Sequence, residues 1–361
     1  MDFTPDESTA DLTTLTADIA STISTPERVA ELESAAAPLD TELWTELAKA
    51  GLLGLEQSGD GLTVADNVAV ATELGRQQAR VPFGPHAVVA GPVIAGFGPE
   101  PLGGEVLPGI ADGSTIVTVA AEEDLRTQPL TATTTSEGLT LSGVKVNVPF
   151  AAAATLLLAT ATGPDGPLAA LVDAGAAGVT ITATPVTGLS PAAQVTFDAV
   201  PVDPSRILAT GAVDAIAARS RLAVAADQTG VVAQALSLTA EYAREREQFD
   251  RPIGSFQAVS QRLADGYINA QALGVTTQQA AWLLAQNDPS APTAIATAKF
   301  WAAEAGHHVA HATVHIHGGI GLDTSHPVHR YFLRAKQNEF TAGSASATLL
   351  DIGEYLAAAP A

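Results

Sequence analysis

Between about Ser114 and Ile207 the apolar residues of this 361-residue chain recur at every second position, and on either side they recur every third or fourth. A period of two suits a strand with one buried face, a period near 3.6 suits a helix, and one element cannot satisfy both. The change of period therefore divides the chain into three expected units, residues 1–113, 114–207 and 208–361. In the first, "TPERVAELESA", "DTELWTELAKAGLLGL" and "LTVADNVAVATELGRQQARV" predict helices separated by loops such as "SGDG". In the second, "STIVTVAA", "VKVNV", "TLLLATATG", "GVTITATPVTG" and "AQVTFDAVPV" are β-branched runs between turn residues. In the third, helical patterns longer than 25 residues need partners to bury their apolar stripes, which predicts a bundle. The expected fold is an α-helical N-terminal domain, a middle antiparallel β-domain and a C-terminal domain of four-helix-bundle type.

Charge narrows the function. With 39 acidic and 17 basic residues the net charge is −22, so nucleic acid and anionic membrane surfaces would repel this chain. Zero cysteines exclude disulfides, thiolate metal sites and a cysteine nucleophile, and point to a cytoplasmic enzyme or subunit. The first residues are acidic where a secretory signal would be basic. The most apolar runs, "AVVAGPVIAGFG" and "AAAATLLLATA", are too short to cross a bilayer core of about 30 Å.

The densest motif is "YAREREQFDRPIGSFQAVSQRLAD", Tyr242 to Asp265, a charged helix end, a break, and a second amphipathic helix. A glycine turn follows in "HIHGGIGLDTSHPVHRYFLRAK", His315 to Lys336. With the looser "LWTELAKAGLLGL", these stretches resemble the acyl-CoA dehydrogenase family over nearly the whole chain. The resemblance implies FAD-dependent α,β-dehydrogenation of an acyl-CoA thioester. A carboxylate base takes the α-proton, a hydride leaves the β-carbon for the flavin, and hydrogen-bond donors meet the enolate oxygen.

That machinery is incomplete here. The family's usual base position falls on Ala342, before Gly343 and Ser344, and its alternative position falls on Ser220 between Arg219 and Arg221. Asp227, two turns along the same helix face, is the nearby carboxylate that could stand in, and helix packing is the other reading of it. The flavin-side stretch corresponds to "VAAEEDLRTQPL", which has lost the family's spacing. The flavin-covering aromatic position falls within "GVKVNVPFA", which keeps Gly143 and Lys145 but carries Asn147 and Pro149. No catalytic residue is assigned.

Groups that the family lends to a neighbouring subunit's FAD are retained. The resemblance implies cofactor contacts from Arg246, Phe249, Gln257, His315, Gly318 and Gly319. Arg246 and Phe249, three apart, are expected on one face of a helix, and His315 replaces the family's usual glutamine. The chain thus looks like the non-catalytic subunit of a bacterial heterotetrameric (α2β2) acyl-CoA dehydrogenase. Its partner would be a homologous catalytic subunit, and its substrate a bulky acyl-CoA such as one with a steroid side chain. Two alternatives stand beside this: a self-sufficient homo-oligomer using Asp227, and a non-enzymatic acyl-CoA-binding scaffold. His307, His311 and His315, spaced four apart, span about 12 Å of helix, too far to converge on one metal ion. They are expected to be surface or interface histidines.

Overall fold

The computed structural model describes residues 6–135, 138–188 and 190–358. Six helices come first: α1 (Glu7–Ile23), α2 (Pro26–Ser34), α3 (Thr41–Lys49), α4 (Val64–Arg76), α5 (Gly91–Phe97) and α6 (Glu100–Ala111). The starts of the first four are written in the sequence. Asp6, Thr25 and Asp40 each place a side-chain oxygen on a first-turn N–H, and Thr63 with Asp66 forms a reciprocal capping box on α4. Leu43 and Leu47 of α3 and Leu74 of α4 are buried in the shared core, where truncation of a leucine to alanine costs about 2–5 kcal/mol.

A seven-stranded sheet follows: β1 (Val117–Ala120), β2 (Thr131–Thr135), β3 (Gly138–Pro149), β4 (Leu156–Gly163), β5 (Gly166–Asp173), β6 (Val179–Thr184) and β7 (Ala192–Val202). Its order is β1-β4-β2-β3-β7-β6, with β5 on the other side of β4. The sheet is mixed rather than purely antiparallel. Strand β1 runs parallel to β4, with Val117 opposite Leu156, and β2 meets β4 in parallel at Thr131 and Thr162. Period-two alternation specifies which face a residue takes but not the direction of its neighbour, which the intervening β2–β3 hairpin decides. Two bulges bend β3. Gly143 sits at one of them with φ +141°, and a Cβ there would overlap the Pro129 carbonyl, so only glycine fits.

The C-terminal part is α7 (Ala212–Glu245), α8 (Gln257–Ala285), α9 (Ala291–His317), α10 (Val328–Phe340) and α11 (Ala345–Ala358), with a small hairpin, β8 (Glu247–Gln248) and β9 (Arg251–Pro252), between α7 and α8. Helices α7, α8, α9 and α10 form the bundle. The apolar core runs without a break from the N-terminal helices into this bundle, while the sheet keeps a second core of its own. Where α4 crosses α7, Gly75 faces the Asp227 main chain and Gly230 faces the Thr72 carbonyl at distances that leave no room for a Cβ. Thr72 Oγ1 also reaches the Ala226 carbonyl at 3.2 Å. Backbone contact of this kind locks the first helical layer to the third.

His86 ties the first layer to the second. Fully buried, it joins the Ile110 carbonyl through Nε2 (3.0 Å), and its Nδ1 accepts the Val117 N–H (3.1 Å). Those partners make it the neutral Nε2–H tautomer, and burial pushes its pKa down to about 4. Among the described residues no helix is long and apolar enough to cross a membrane.

Candidate functional site

Where the three layers meet there is a cleft of about 380 Å³. Leu74 of α4, Phe83, Phe150 and Val224 of α7 form its apolar walls. Its polar groups come from two places, the α7–α10 contact and the loop after β1.

Asp227 lies on the first of these. Its carboxylate is gripped by the Arg334 guanidinium of α10 through both oxygens, with Nε to Oδ2 at 2.9 Å, and Asn338 Nδ2 donates to Oδ2 at 2.6 Å. Arg334 is nearly buried and also gives Nη1 to the Ala79 carbonyl at 2.9 Å. Asn338 shares its amide with the buried Gln228, which bonds the Ala302 and Ala335 carbonyls. Asp227 therefore lines the cleft, but it is the counter-ion of a buried arginine and already accepts three donors. A carboxylate so engaged fits a packing role better than that of a base.

The other end carries a residue the sequence reading passed over. Glu122, just after β1, accepts the Ala342 N–H through Oε1 and the Asn147 side-chain amide through Oε2, both at 3.0 Å. One carboxylate thus bridges the sheet to the loop after α10, at the mouth of the cleft. Asn147 can turn toward it because the second bulge of β3 holds that residue at φ +52°. Beneath lies Lys145, 2% exposed, bonded to Glu123 at 2.7 Å, Thr160 at 3.2 Å and the Ala121 carbonyl at 3.2 Å. Burial lowers the Lys145 pKa, and Glu123 opposes the shift. The stretch that reads as a lost flavin loop carries two engaged carboxylates, and the adjacent pair Glu122-Glu123 was the available signal.

The Ala342 loop is fixed from three sides. Glu122 holds its N–H, Arg221 approaches its carbonyl at 3.4 Å while pairing with Asp351, and Lys299 donates to the Asn338 and Glu339 carbonyls at 3.2 Å each. Burial, together with the nearby Arg221, pushes the Lys299 pKa down to about 8. Ala342 stands at φ +57° and Gly343 at φ +116°, so this turn is shaped by backbone bonds, with a methyl where the resemblance expects a base.

The predicted cofactor-contact residues lie on a different face. Helix α7 stops at Glu245, one residue before Arg246, so Arg246 and Phe249 do not share a helix face as expected. Arg246 ends the helix with extended backbone, and Phe249 and Asp250 form the hairpin turn at φ +56° and +62°. The reason is local: the Arg246 carbonyl takes the Ile253 N–H at 2.8 Å, and Pro252 cannot continue a helix. Phe249 is 86% exposed. Its ring meets Phe256 edge-on at 6.0 Å, and the Arg251 guanidinium lies 4.1 Å from the Phe256 ring centre. Phe249 and His315 line one surface groove, to which Arg246, Gln257, Gly318 and Gly319 contribute no lining. Gln257 is exposed at the first position of α8. Gly318 closes α9 at φ +61°, ψ −132°, a conformation for glycine alone, and a Cβ at Gly318 or Gly319 would point into open space. A ligand can approach that backbone closely.

The other histidines are engaged locally. His307 faces Glu339 at 3.3 Å and His308 faces the Glu304 carbonyl at 2.8 Å. His311 packs against His307 with ring centres 4.5 Å apart, and burial and the neighbouring His307 lower its pKa.

Comparison with known proteins agrees with this architecture. Residues 11–114 match the family model "acyl-CoA dehydrogenase, N-terminal domain", and residues 212–357 match "acyl-CoA dehydrogenase, C-terminal domain". Acyl-CoA dehydrogenase FadE27 of Mycobacterium tuberculosis is 43% identical, with 100% of each chain covered. Acyl-CoA dehydrogenase FadE28 of the same organism is 31% identical, covering 81% of this chain and 86% of that protein. Among solved structures, a chain of the ChsE4–ChsE5 complex from Mycobacterium tuberculosis superposes with a TM-score of 0.96 at 43% identity, with 100% of both chains covered. The Tcur3481–Tcur3483 steroid ACAD variant gives 0.91 at 41% identity, covering 97% of this chain and 98% of that one.

Proposed function

The chain belongs to the acyl-CoA dehydrogenase family, and from that membership we propose that it is the non-catalytic subunit of a heteromeric acyl-CoA dehydrogenase. In this reading it contributes cofactor contacts to a homologous partner that owns the base. The observation that supports the reading most is the chemistry of the three-layer cleft: Ala342 where the resemblance expects a base, Asp227 paired with Arg334 and hydrogen-bonded by Asn338, and Glu122 spanning the mouth to Asn147 and the Ala342 N–H. In this reading residue 342 offers only a methyl, and both cleft carboxylates are already engaged by hydrogen-bond donors of the chain itself.

The hairpin and glycine turn are chemically suited to FAD, on three features of this chain. Arg246 has no ion pair among the described residues, Phe249 offers a bare ring, and the Gly318-Gly319 backbone is open to close approach. When bound, FAD supplies the acceptor for the hydride removed from the acyl chain. Arg246 would hold pyrophosphate oxygens with paired N–H donors. Phe249 would cover an apolar face of the cofactor, and His315 would donate or accept one hydrogen bond. The exposed Gln257 amide and the Gly318-Gly319 main chain would complete the contact surface.

Two similar solved structures are the ChsE4–ChsE5 complex and the Tcur3481–Tcur3483 steroid ACAD. They support a homologous partner and a bulky, steroid-like acyl-CoA as the substrate class for this chain. The cleft position of Asp227 favours the rival reading, a self-sufficient enzyme.

The test is co-expression with a homologous acyl-CoA dehydrogenase chain, followed by flavin quantitation of each chain and of the complex. The proposal expects little FAD and no turnover from this chain alone, and flavin with turnover in the complex. Arg246→Ala in this chain should lower flavin retention about tenfold or more, since a charge-assisted hydrogen bond is worth about 1.5–3 kcal/mol. Stoichiometric flavin and turnover from the isolated chain would overturn the proposal.

A further inference from the structure

The chain has 17 lysines and arginines against 39 acidic residues, and nearly all of its cations are spoken for. Eleven of them form ion pairs with carboxylates. Arg80 and Lys299 donate to main-chain carbonyls. The side chains of the remaining four, Arg244, Arg246, Arg251 and Arg262, make no hydrogen bond or ion pair among the described residues, Arg251 resting on the Phe256 ring, and all four fall within one stretch of the sequence. In a chain with so many carboxylates, a random scatter of unpaired arginines is not what electrostatics would produce.

Arg262 is distinguished from the others by what it faces. It is exposed on the second turn of α8, and its side chain lines the groove shared by Phe249 and His315. Phe249, Ile253, Phe256 and Val259 make the apolar wall of that groove, whose volume is about 320 Å³, within the ordinary range for a ligand site. Arg262 and His315 also border a second groove that continues along α8 and α9 past Asp265, Asn269 and His311. The two residues stand on the divide, with aromatic surface on one side and hydrogen-bonding groups on the other. That pairing of a flat apolar slot with a cation at its edge matches a purine base joined to a diphosphate.

We propose that Arg262 is a further anion-binding residue of this surface, gripping a phosphate of an adenosine diphosphate moiety whose base lies against Phe249 and Phe256. This rests on the reading of the hairpin as a cofactor-contact surface, and it adds a residue that the family resemblance does not supply. Both FAD and CoA carry the adenosine diphosphate group, so the chemistry is shared and experiment separates the sources. Arg262 is exposed and its side chain makes no hydrogen bond or ion pair among the described residues, so its replacement should leave the fold intact.

The experiment uses the complex of this chain with its homologous partner, in three versions of this chain: Arg262→Met, which keeps the apolar stem, Arg262→Lys, which keeps the charge, and Arg246→Ala. Flavin retention, CoA affinity and co-elution of the two chains are measured at low and at high salt. The expected result is that Arg262→Met weakens FAD binding about tenfold or more, that Arg262→Lys restores part of it, and that the difference shrinks in salt. Weakened CoA binding with unchanged flavin retention would also support the site and assign its ligand to CoA. If Arg262→Met changes neither while Arg246→Ala lowers flavin retention, the Arg262 assignment is wrong and the cofactor-contact reading survives. If none of the three changes either ligand, both are wrong. Loss of co-elution in Arg262→Met would place the residue in the contact between the chains and overturn its role as an anion site.

Discussion

Replacing Asp227 by asparagine separates the two readings of the cleft, because they assign the cost to different quantities. Asp227 accepts two donors from Arg334 and one from Asn338, and Arg334 is nearly buried, so its charge has no water to turn to. An asparagine has one accepting oxygen, and its NH₂ group would face a donor. The mutation thus leaves a buried guanidinium without a counter-ion, a change worth about 3–5 kcal/mol. At about 2 °C per kcal/mol for a chain of this size, Tm should fall by roughly 6–10 °C. Arg334→Met with Asp227→Leu should recover much of the loss, since an apolar pair of similar volume removes the uncompensated charge. Turnover per bound flavin in the heteromeric complex should stay unchanged at a temperature where the variant is folded. The assays are thermal unfolding of the chain and steady-state dehydrogenation by the complex. A drop of about 10²–10⁴ in turnover with little change in Tm would refute the reasoning, since that is the signature of a lost general base.

The buried His86 should make stability pH-dependent. Its folded pKa of about 4 lies below the unfolded value near 6.5, so the unfolded chain binds the extra proton between those limits. Its stabilising contribution is complete above pH 6.5 and declines by about 3 kcal/mol as pH falls toward 4, and His86→Gln should flatten that part of a Tm-against-pH curve relative to the native chain. Gly230→Ala drives a methyl into the Thr72 carbonyl at the α4–α7 crossing and should lower stability by about 1–3 kcal/mol in chemical denaturation. Phe249→Ala removes an exposed ring and should leave the Tm of the isolated chain unchanged while lowering flavin retention in the complex. Ala342→Glu should not create a second active site, measured as flavin per complex and turnover, because Glu122 already holds that loop and its like charge opposes a second carboxylate.

The architecture was legible because it rests on periodicity, which one strand or helix expresses by itself. The capping residues Asp6, Thr25, Asp40 and Thr63 mark helix starts for the same reason: each acts on an N–H two or three residues away. That residue 342 carries no proton acceptor was legible because a methyl cannot take a proton in any environment. The helix assumed to carry both Arg246 and Phe249 was misread. Periodicity carries on through charged residues, whereas the hairpin there depends on the Arg246 carbonyl finding the Ile253 N–H and on Phe249 and Asp250 taking positive φ.

The chain's own letters thus determine the three-layer order, the absence of a carboxylate at 342 and 220, and the residue types of the hairpin and glycine turn. Tertiary structure alone decides what the remaining charged groups do. Glu122 and Ala342 are 220 residues apart and meet only because the sheet packs on the bundle, and Asp227 loses its freedom only because α10 brings Arg334 and Asn338 against it. The parallel pairing of β1 with β4 and the sharing of one groove by Phe249, Arg262 and His315 belong to the same class. A side chain's charge is a property of its residue type, but whether that charge is spent on a neighbour or left for a ligand depends on partners that the fold delivers from far along the chain.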